Sequence, residues 1–282
     1  MNNEDQQDFL RALDVILSSV KDDFIGLPED DLTSQEESIR AYEVMREVEA
    51  YIGEAASSDY YSTSRDRFAK MLACAHRHLP PGARVLDIGN APGFLAYAFH
   101  KSKFKVSGLN LSDEWIRTYP NAEMVALFDV KACDIESSAL PFEDDTFEAI
   151  LFTEVLEHIA IKRPKDILPE FRRVLKPGGV VLFSTPNVCN LSNIIALMTG
   201  KNIFWPVEIF FGSTDRHNRE FSPKEVFSLF EEAGFSVLEF FGVNDHANWR
   251  TGTQDLIYPY LASRAKGHPL LRNTIMAVFS AP

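Results

Sequence analysis

One stretch constrains the rest of the chain: Arg84-Val85-Leu86-Asp87-Ile88-Gly89-Asn90-Ala91-Pro92-Gly93-Phe94. Its short apolar run fits a strand of a buried parallel sheet, and its two glycines permit a tight turn with close ligand approach. The apolar Phe94-Leu95-Ala96-Tyr97-Ala98-Phe99 that follows opens a helix. A strand, a glycine loop and a helix in that order predict bare backbone N–H groups beside a ligand, because glycine has no Cβ to hold it off. Asp87 sets an acceptor at the strand's C-terminal end. Alone, D-x-G-x-x-x-G also describes a plain glycine turn after a core strand.

The periodicity around it decides the fold class. Further strands are predicted at Phe104–Leu109, Phe128–Cys133, Phe147–Thr153, Val180–Ser184, Ser236–Phe241 and Thr274–Ser280, with a helical stretch at Asp166–Leu175 before Lys176-Pro177-Gly178-Gly179. This alternation predicts an α/β, doubly wound, Rossmann-like and mostly parallel sheet of seven strands, with ligands at the strands' C-terminal ends. Residues 1–64 read as an acidic helical N-terminal extension or lid. Phe9, Leu13, Ile16, Leu17 and Val20 recur at helical spacing, and a second helix starting at Thr33, with Glu36 closing a capping box, carries Ile39, Tyr42, Met45, Val48 and Ile52. Ser57-Ser58-Asp59-Tyr60-Tyr61-Ser62 reads as a hinge or loop, and a third helix runs from Arg65 to His78, stopped by Pro80-Pro81-Gly82. Residues 65–282 form the main domain. Within it, 185–221 is an irregular excursion of the kind that serves as a lid or substrate loop, holding Phe204-Trp205-Pro206 and Ile209-Phe210-Phe211. Ser222-Pro223-Lys224-Glu225 then starts a helix with a capping box and Pro at its first position, ending at Gly234.

Composition excludes several classes. Lys and Arg number 28 against 41 Asp and Glu, a net charge of −13, which disfavours a protein built to grip nucleic-acid phosphates. The compact basic run is Lys162-Arg163-Pro164-Lys165. Cys74, Cys133 and Cys189 form no C-x-x-C pair, so neither a disulfide framework nor a thiolate zinc site is indicated, and a reducing compartment is expected. Met1-Asn2-Asn3-Glu4-Asp5 lacks the basic start of a signal peptide, and no apolar run approaches the ~18 residues of a membrane span. The expectation is a cytoplasmic protein.

Several phrases recur in a set order: Asp87-Ile88-Gly89-Asn90-Ala91-Pro92-Gly93, Val106-Ser107-Gly108-Leu109-Asn110-Leu111-Ser112, Asp134-Ile135, Leu140-Pro141-Phe142 with Phe147-Glu148-Ala149-Ile150, and Arg173-Val174-Leu175-Lys176-Pro177-Gly178-Gly179. From Arg65 onward the chain thereby resembles the class I S-adenosylmethionine-dependent methyltransferases. The resemblance implies that Asp87 and the backbone of Gly89, Ala91 and Gly93 hold the methionine end of S-adenosylmethionine. Asn110 would meet the ribose hydroxyls, Asp134 would accept from the adenine amino group, Ile135 would pack on the ring, and Leu111 and Thr153 would complete the cofactor set. Two departures stand out. Ala91 replaces the family's middle glycine, which a negative φ permits, and Asn110 replaces the usual acid, keeping an acceptor but losing charge. A nicotinamide dinucleotide would need G-x-G-x-x-G, which Gly89–Phe94 does not supply.

After the fourth predicted strand comes Thr153-Glu154-Val155-Leu156-Glu157-His158-Ile159. A helix beginning there would set Glu154, Glu157 and His158 on one face, a donor set for Mg or another divalent cation. His217, in Asp215-Arg216-His217-Asn218-Arg219-Glu220-Phe221-Ser222, is the candidate fourth ligand. The pattern is similar to the E-x-x-E-H plus downstream His of small-RNA 2′-O-methyltransferases and, more loosely, of quinone-biosynthesis O-methyltransferases, in which the cation binds substrate oxygens. The other reading is metal-free. There Glu154 faces the cofactor amine, Glu157 pairs locally, and the catalytic base is His158, then His217, with His246 beside Asp245 as the outsider. Either way the expected reaction is methyl transfer to a hydroxyl oxygen of a small molecule, with Phe204, Trp205, Phe210 and Phe211 lining the acceptor pocket or packing the excursion. The alternatives are a non-catalytic scaffold of the same fold and a nucleic-acid methyltransferase.

Overall fold

The structure, a computed structural model, describes residues 35–198, 200–212, 216–243 and 271–282, with positions 7, 8, 11 and 15 before them. The apolar stripe from Phe9 to Val20, the capping residue Thr33, Asp215, and the Asp245, His246 and Trp249 loop lie outside the described residues. Helix α1 (Gln35–Ile52) buries Ala41, Met45, Val48 and Ile52, a single stripe at helical spacing. A 3₁₀ turn (Gly53–Ser57) leads to α2 (Asp59–His78). Here the expected hinge is corrected: Ser58 is an N-cap whose Oγ accepts from Tyr61 N at 3.3 Å, so the polar run is the start of a helix. The division at residue 64/65 falls inside α2.

The remaining elements alternate. They are β1 (Arg84–Ile88), α3 (Phe94–Lys101), β2 (Lys105–Asn110), α4 (Ala122–Ala126), β3 (Asp129–Ala132), β4 (Phe147–Thr153), α5 (Leu168–Val174), β5 (Leu175–Pro186), α6 (Leu191–Met198), α7 (Val207–Gly212), α8 (Pro223–Glu232), β6 (Ser236–Val243) and β7 (Thr274–Ser280). The seven strands form one sheet in the order β3-β2-β1-β4-β5-β7-β6, with β7 antiparallel to both neighbours and the other pairs parallel. The seven-stranded, mostly parallel sheet is as the alternation predicts. Two expectations are corrected. β5 begins at Leu175, taking in Lys176-Pro177-Gly178-Gly179, and the 185–221 excursion carries α6 and α7 instead of being wholly irregular.

Successive strand residues feed opposite cores, as a pleat requires. Val85, Ala149, Leu151 and Leu182 join the layer made with α1, α2 and α3, whereas Leu86, Ile88, Ile150, Phe152 and Phe183 join the layer made with α5 and α8. The second layer is aromatic: Phe152 meets Phe171 edge-on at 4.9 Å, and Phe230 stacks on Phe279 at 3.8 Å. Each such ring stabilises the fold by about 1.5–3 kcal/mol on burial. At the sheet edge a register shift between Val237 and Glu239 turns Glu239 toward α2, where Arg77 Nη1 pairs with it at 2.6 Å and His78 Nε2 at 2.5 Å. Both faces of the sheet are thus covered, and the parallel strands' C-terminal ends are where a site can form.

Candidate functional site

A cavity of about 850 Å³ opens where those ends converge. Gly89, Asn110, Asp134, Glu154 and Pro186, at or just beyond the ends of β1 to β5 in turn, all line it. Gly89 has φ +74, and a Cβ there would sit 2.6 Å from Val155 Cγ2; Gly93, at φ +87, N-caps α3, and a Cβ would meet Tyr119 Cε1 at 2.6 Å. Both positions need glycine for conformation and for space.

The loop's amides are not bare, which corrects the expectation. Gly89 N and Asn90 N donate to Leu109 O at 2.8 and 3.2 Å, Ala91 N to Asn110 Oδ1 at 2.9 Å, and Gly93 N to Asn90 O at 2.7 Å. Buried N–H groups need partners, and the adjoining strand supplies them. The glycines therefore shape the cavity wall rather than present donors to it. Ala91 keeps φ out of the positive range and lines the cavity with Gly89 and Pro92. Asp87 and Gly93 stand behind that wall. The Asp87 carboxylate is buried and accepts from Asn90 Nδ2 at 2.9 Å; burial pushes its pKa up to about 7, the Asn90 hydrogen bond opposing. Asn110 lines the cavity, yet its amide also serves the fold, since Nδ2 donates to Tyr119 Oη at 3.4 Å. Leu111, Ile135 and Thr153 are on the wall as well. Asp134 Oδ1 accepts its own turn's Glu136 N–H at 2.9 Å.

Glu154, Glu157 and His158 do not share a helix. Glu154 has φ +54, a left-handed conformation that a non-glycine residue adopts only when its surroundings hold it, and only a single 3₁₀ turn (Leu156–His158) follows. Three contacts hold Glu154: its N–H donates to Ser184 O at 2.9 Å, Oε1 accepts from Ser184 Oγ at 2.7 Å, and Oε2 pairs with Arg67 Nη1 at 3.0 Å. Arg67 comes from α2 and is only 2% exposed. Glu157 points elsewhere. It is 1% exposed, its Oε2 accepts from Thr185 Oγ1 at 2.9 Å, and its Oε1, 4.0 Å from His158 Nε2, has no hydrogen-bond partner among the described residues. Burial first, and the Glu154 charge second, hold its pKa well above the usual carboxylate range.

His217 reaches this turn from the far end of the excursion. Asn218 N donates to Glu157 O and Asn218 Nδ2 to His158 O, both at 2.7 Å. His158 Nδ1 bonds Arg216 O at 2.9 Å, and His217 Nδ1 bonds Glu220 Oε1 at 3.1 Å. The two rings meet edge-on at 5.1 Å, and Trp205 caps His217 at 5.2 Å. One ligand-type atom from each of Glu157, His158 and His217 lies within 4.8 Å of the others. Of the four residues expected from the sequence as metal ligands, three thus converge, and Glu154 is turned away toward Arg67. Arg67, Ser184, Thr185 and Glu220 were not expected in the site. Arg67 left a signal: it falls in the buried stripe of α2, beside Ser64, Phe68 and Met71, where a charge needs a partner.

A family model described as a methyltransferase domain matches residues 59–239, more than half of the chain. The chain belongs to the class I S-adenosylmethionine-dependent methyltransferases. This methyltransferase is 29% identical over 174 residues to a ubiquinone biosynthesis O-methyltransferase of Burkholderia pseudomallei, spanning 61% of this chain and 72% of that one. A protein of the same description from Roseobacter denitrificans is 27% identical over 192 residues, 66% of this chain and 74% of its own. In fold the methyltransferase matches an S-adenosylmethionine-dependent methyltransferase of Archaeoglobus fulgidus with a TM-score of 0.54 at 16% identity, over 82% of this chain and 98% of that chain. Among the described residues no helix is long and apolar enough to cross a membrane.

Proposed function

We propose that this methyltransferase moves a methyl group to a hydroxyl oxygen of a small molecule, with a divalent cation held by Glu157, His158 and His217. The observation that carries the proposal is the Glu157 carboxylate, buried, with one oxygen that has no hydrogen-bond partner among the described residues and lies 4.0 Å from His158 Nε2, beside two imidazoles. A buried carboxylate with one oxygen lacking a hydrogen bond is costly, and a cation would offset that cost. Both Nδ1 atoms are tied to protein oxygens, the arrangement that fixes the orientation of a ligating imidazole. Two imidazoles and one carboxylate suit zinc, manganese or iron better than magnesium, which favours oxygen donors. Bound there, such a cation would supply Lewis-acid chemistry, lowering the pKa of an acceptor hydroxyl.

The chain's own residues would do the placing. Arg67 and Glu154, adjacent and opposite in charge, match the carboxylate and ammonium of the cofactor's methionine end, and Gly89, Ala91 and Pro92 leave room for it. Asn110 and Leu111 would meet the ribose, and Asp134 and Ile135 the adenine. Ala55, Ser58 and Tyr60 bring the helical layer of residues 35–64 to the cavity, which would act as its roof. A small acceptor is supported by the cavity's size and by its wall, where Asp134, Glu136, Glu154, Glu157 and Glu220 outnumber Arg67 and would repel phosphates. The description of the Burkholderia and Roseobacter relatives as O-methyltransferases points the same way. A metal-free variant of the reaction is favoured by one contact: the His158 Nδ1 bond to Arg216 O sets the tautomer whose Nε2 can take a proton.

Elemental analysis of the purified chain separates the two. We expect a stoichiometric divalent ion that survives Glu154→Ala and disappears in Glu157→Ala and His217→Ala. An ion-free protein that binds S-adenosylhomocysteine normally and methylates a panel of phenols and catechols in the presence of chelator would refute the cation.

A further inference from the structure

Glu136 does something that neither the cofactor nor the acceptor reading uses. Its carboxylate accepts from three consecutive backbone amides across the cavity: Ala160 N at 3.1 Å from either oxygen, Ile161 N, and Lys162 N at 2.8 Å to Oε2. The same residue's own N–H donates to Asp134 Oδ1 at 2.9 Å. Glu136 therefore ties the turn after β3 to a segment that begins two residues beyond His158. Among the described residues that segment has little other anchorage, since Ala160 is exposed and the Ile161 side chain is 82% exposed. Without apolar burial, charge-assisted hydrogen bonds to one carboxylate are what fix it.

We propose that Glu136 is a positioning residue that couples the Asp134 end of the cavity to the Glu157–His158 turn, so that filling the cofactor site orders the acceptor side. The inference rests on the cofactor placement proposed above. The path is short and continuous: a ligand held at Asp134 fixes the Asp134–Glu136 turn, the turn fixes the carboxylate, and the carboxylate fixes residues 160–162 and the histidine just before them. Linkage makes the coupling reciprocal, so order imposed at 160–162 tightens the cofactor. Binding is then ordered, cofactor before acceptor.

Amide hydrogen exchange on the full chain, with and without S-adenosylhomocysteine, reads this directly. In the wild-type protein the ligand should slow exchange at residues 160–162 at least tenfold. Glu136→Ala should abolish that slowing and raise the S-adenosylhomocysteine dissociation constant, measured by calorimetry, by up to the same factor. Glu136→Gln, which keeps an acceptor oxygen and the side chain's volume, should retain part of it and serves if the alanine variant does not fold. A purely structural Glu136 would change the exchange of free and liganded protein alike and leave their ratio untouched, which would overturn the coupling. So would bound ligand without slowing in the wild type. A wild-type chain that binds no S-adenosylhomocysteine would overturn both this inference and the cofactor placement, so the two failures are distinct.

Discussion

Asp87 bears a buried carboxyl that titrates near neutrality, and this gives the fold a pH dependence with a definite sign. Its pKa moves from 3.8 in the unfolded chain to about 7 in the folded one, with desolvation the largest cause. Between those values the folded state holds a proton that the unfolded state has released, so this group's contribution to stability falls as pH rises from about 4 to about 7. Asp87→Asn should remove the slope. We expect its unfolding free energy to gain on the wild type steadily across that window, by at most about 4 kcal/mol at the upper end; parallel curves by calorimetry would contradict the burial argument. At this scale the sequence was legible in the conformations of Gly89 and Gly93, which belong to the loop itself, and not in the loop's amides, whose partners Leu109 and Asn110 lie on the next strand. Arg67 and Glu136 were not legible in the same way. Arg67 acts on Glu154 from another layer, and Glu136 acts on amides 24 to 26 positions away.

At the scale of elements, local chemistry predicted well where it was self-contained. The α8 start is such a case: Ser222 Oγ accepts from Glu225 N at 3.3 Å and Glu225 Oε2 accepts from Ser222 N at 2.9 Å, with Pro223 following the cap. Ser222→Ala should cost about 1 kcal/mol, seen as a lower urea midpoint with an unchanged slope. The start of α2 obeys the same rule but was concealed by polar neighbours, and only the packing of Tyr61 edge-on against Phe94 at 5.3 Å shows why the helix begins so early. The turn after β4 reversed a local preference altogether. Glu154-Val155-Leu156-Glu157-His158 reads as helix, yet the contacts from Ser184 and Arg67 pin Glu154 at φ +54 and leave room for one turn only. Tertiary contacts overrode propensity there, as they commonly do at sites that recognise ligands.

For the molecule as a whole, the alternation of strands and helices was enough to foresee the sheet, because each parallel strand must be buried on both faces. The role of the N-terminal layer was less visible, since α1 and α2 share one core with β1 and α3, and through Arg67 they reach the cavity. Arg67→Met should therefore act on two readouts. Removing one partner of this nearly buried pair should destabilise the fold by roughly 3 kcal/mol, and it should weaken S-adenosylhomocysteine binding. Glu154→Gln in the same chain should recover part of the stability, and strict additivity of the two changes would show that the pair is not coupled. The order of the strands carries a consequence for synthesis. Among the described strands β6 pairs only with β7, which lies between it and β5 in the sheet but comes after it in the chain. A ribosome making about 5–20 residues per second thus releases β6, with Phe240 and Phe241, seconds before the strand that will hold it. Until β7 emerges, the nascent chain has a half-built sheet edge at β5 and an unpaired aromatic strand, the kind of transient surface that favours aggregation.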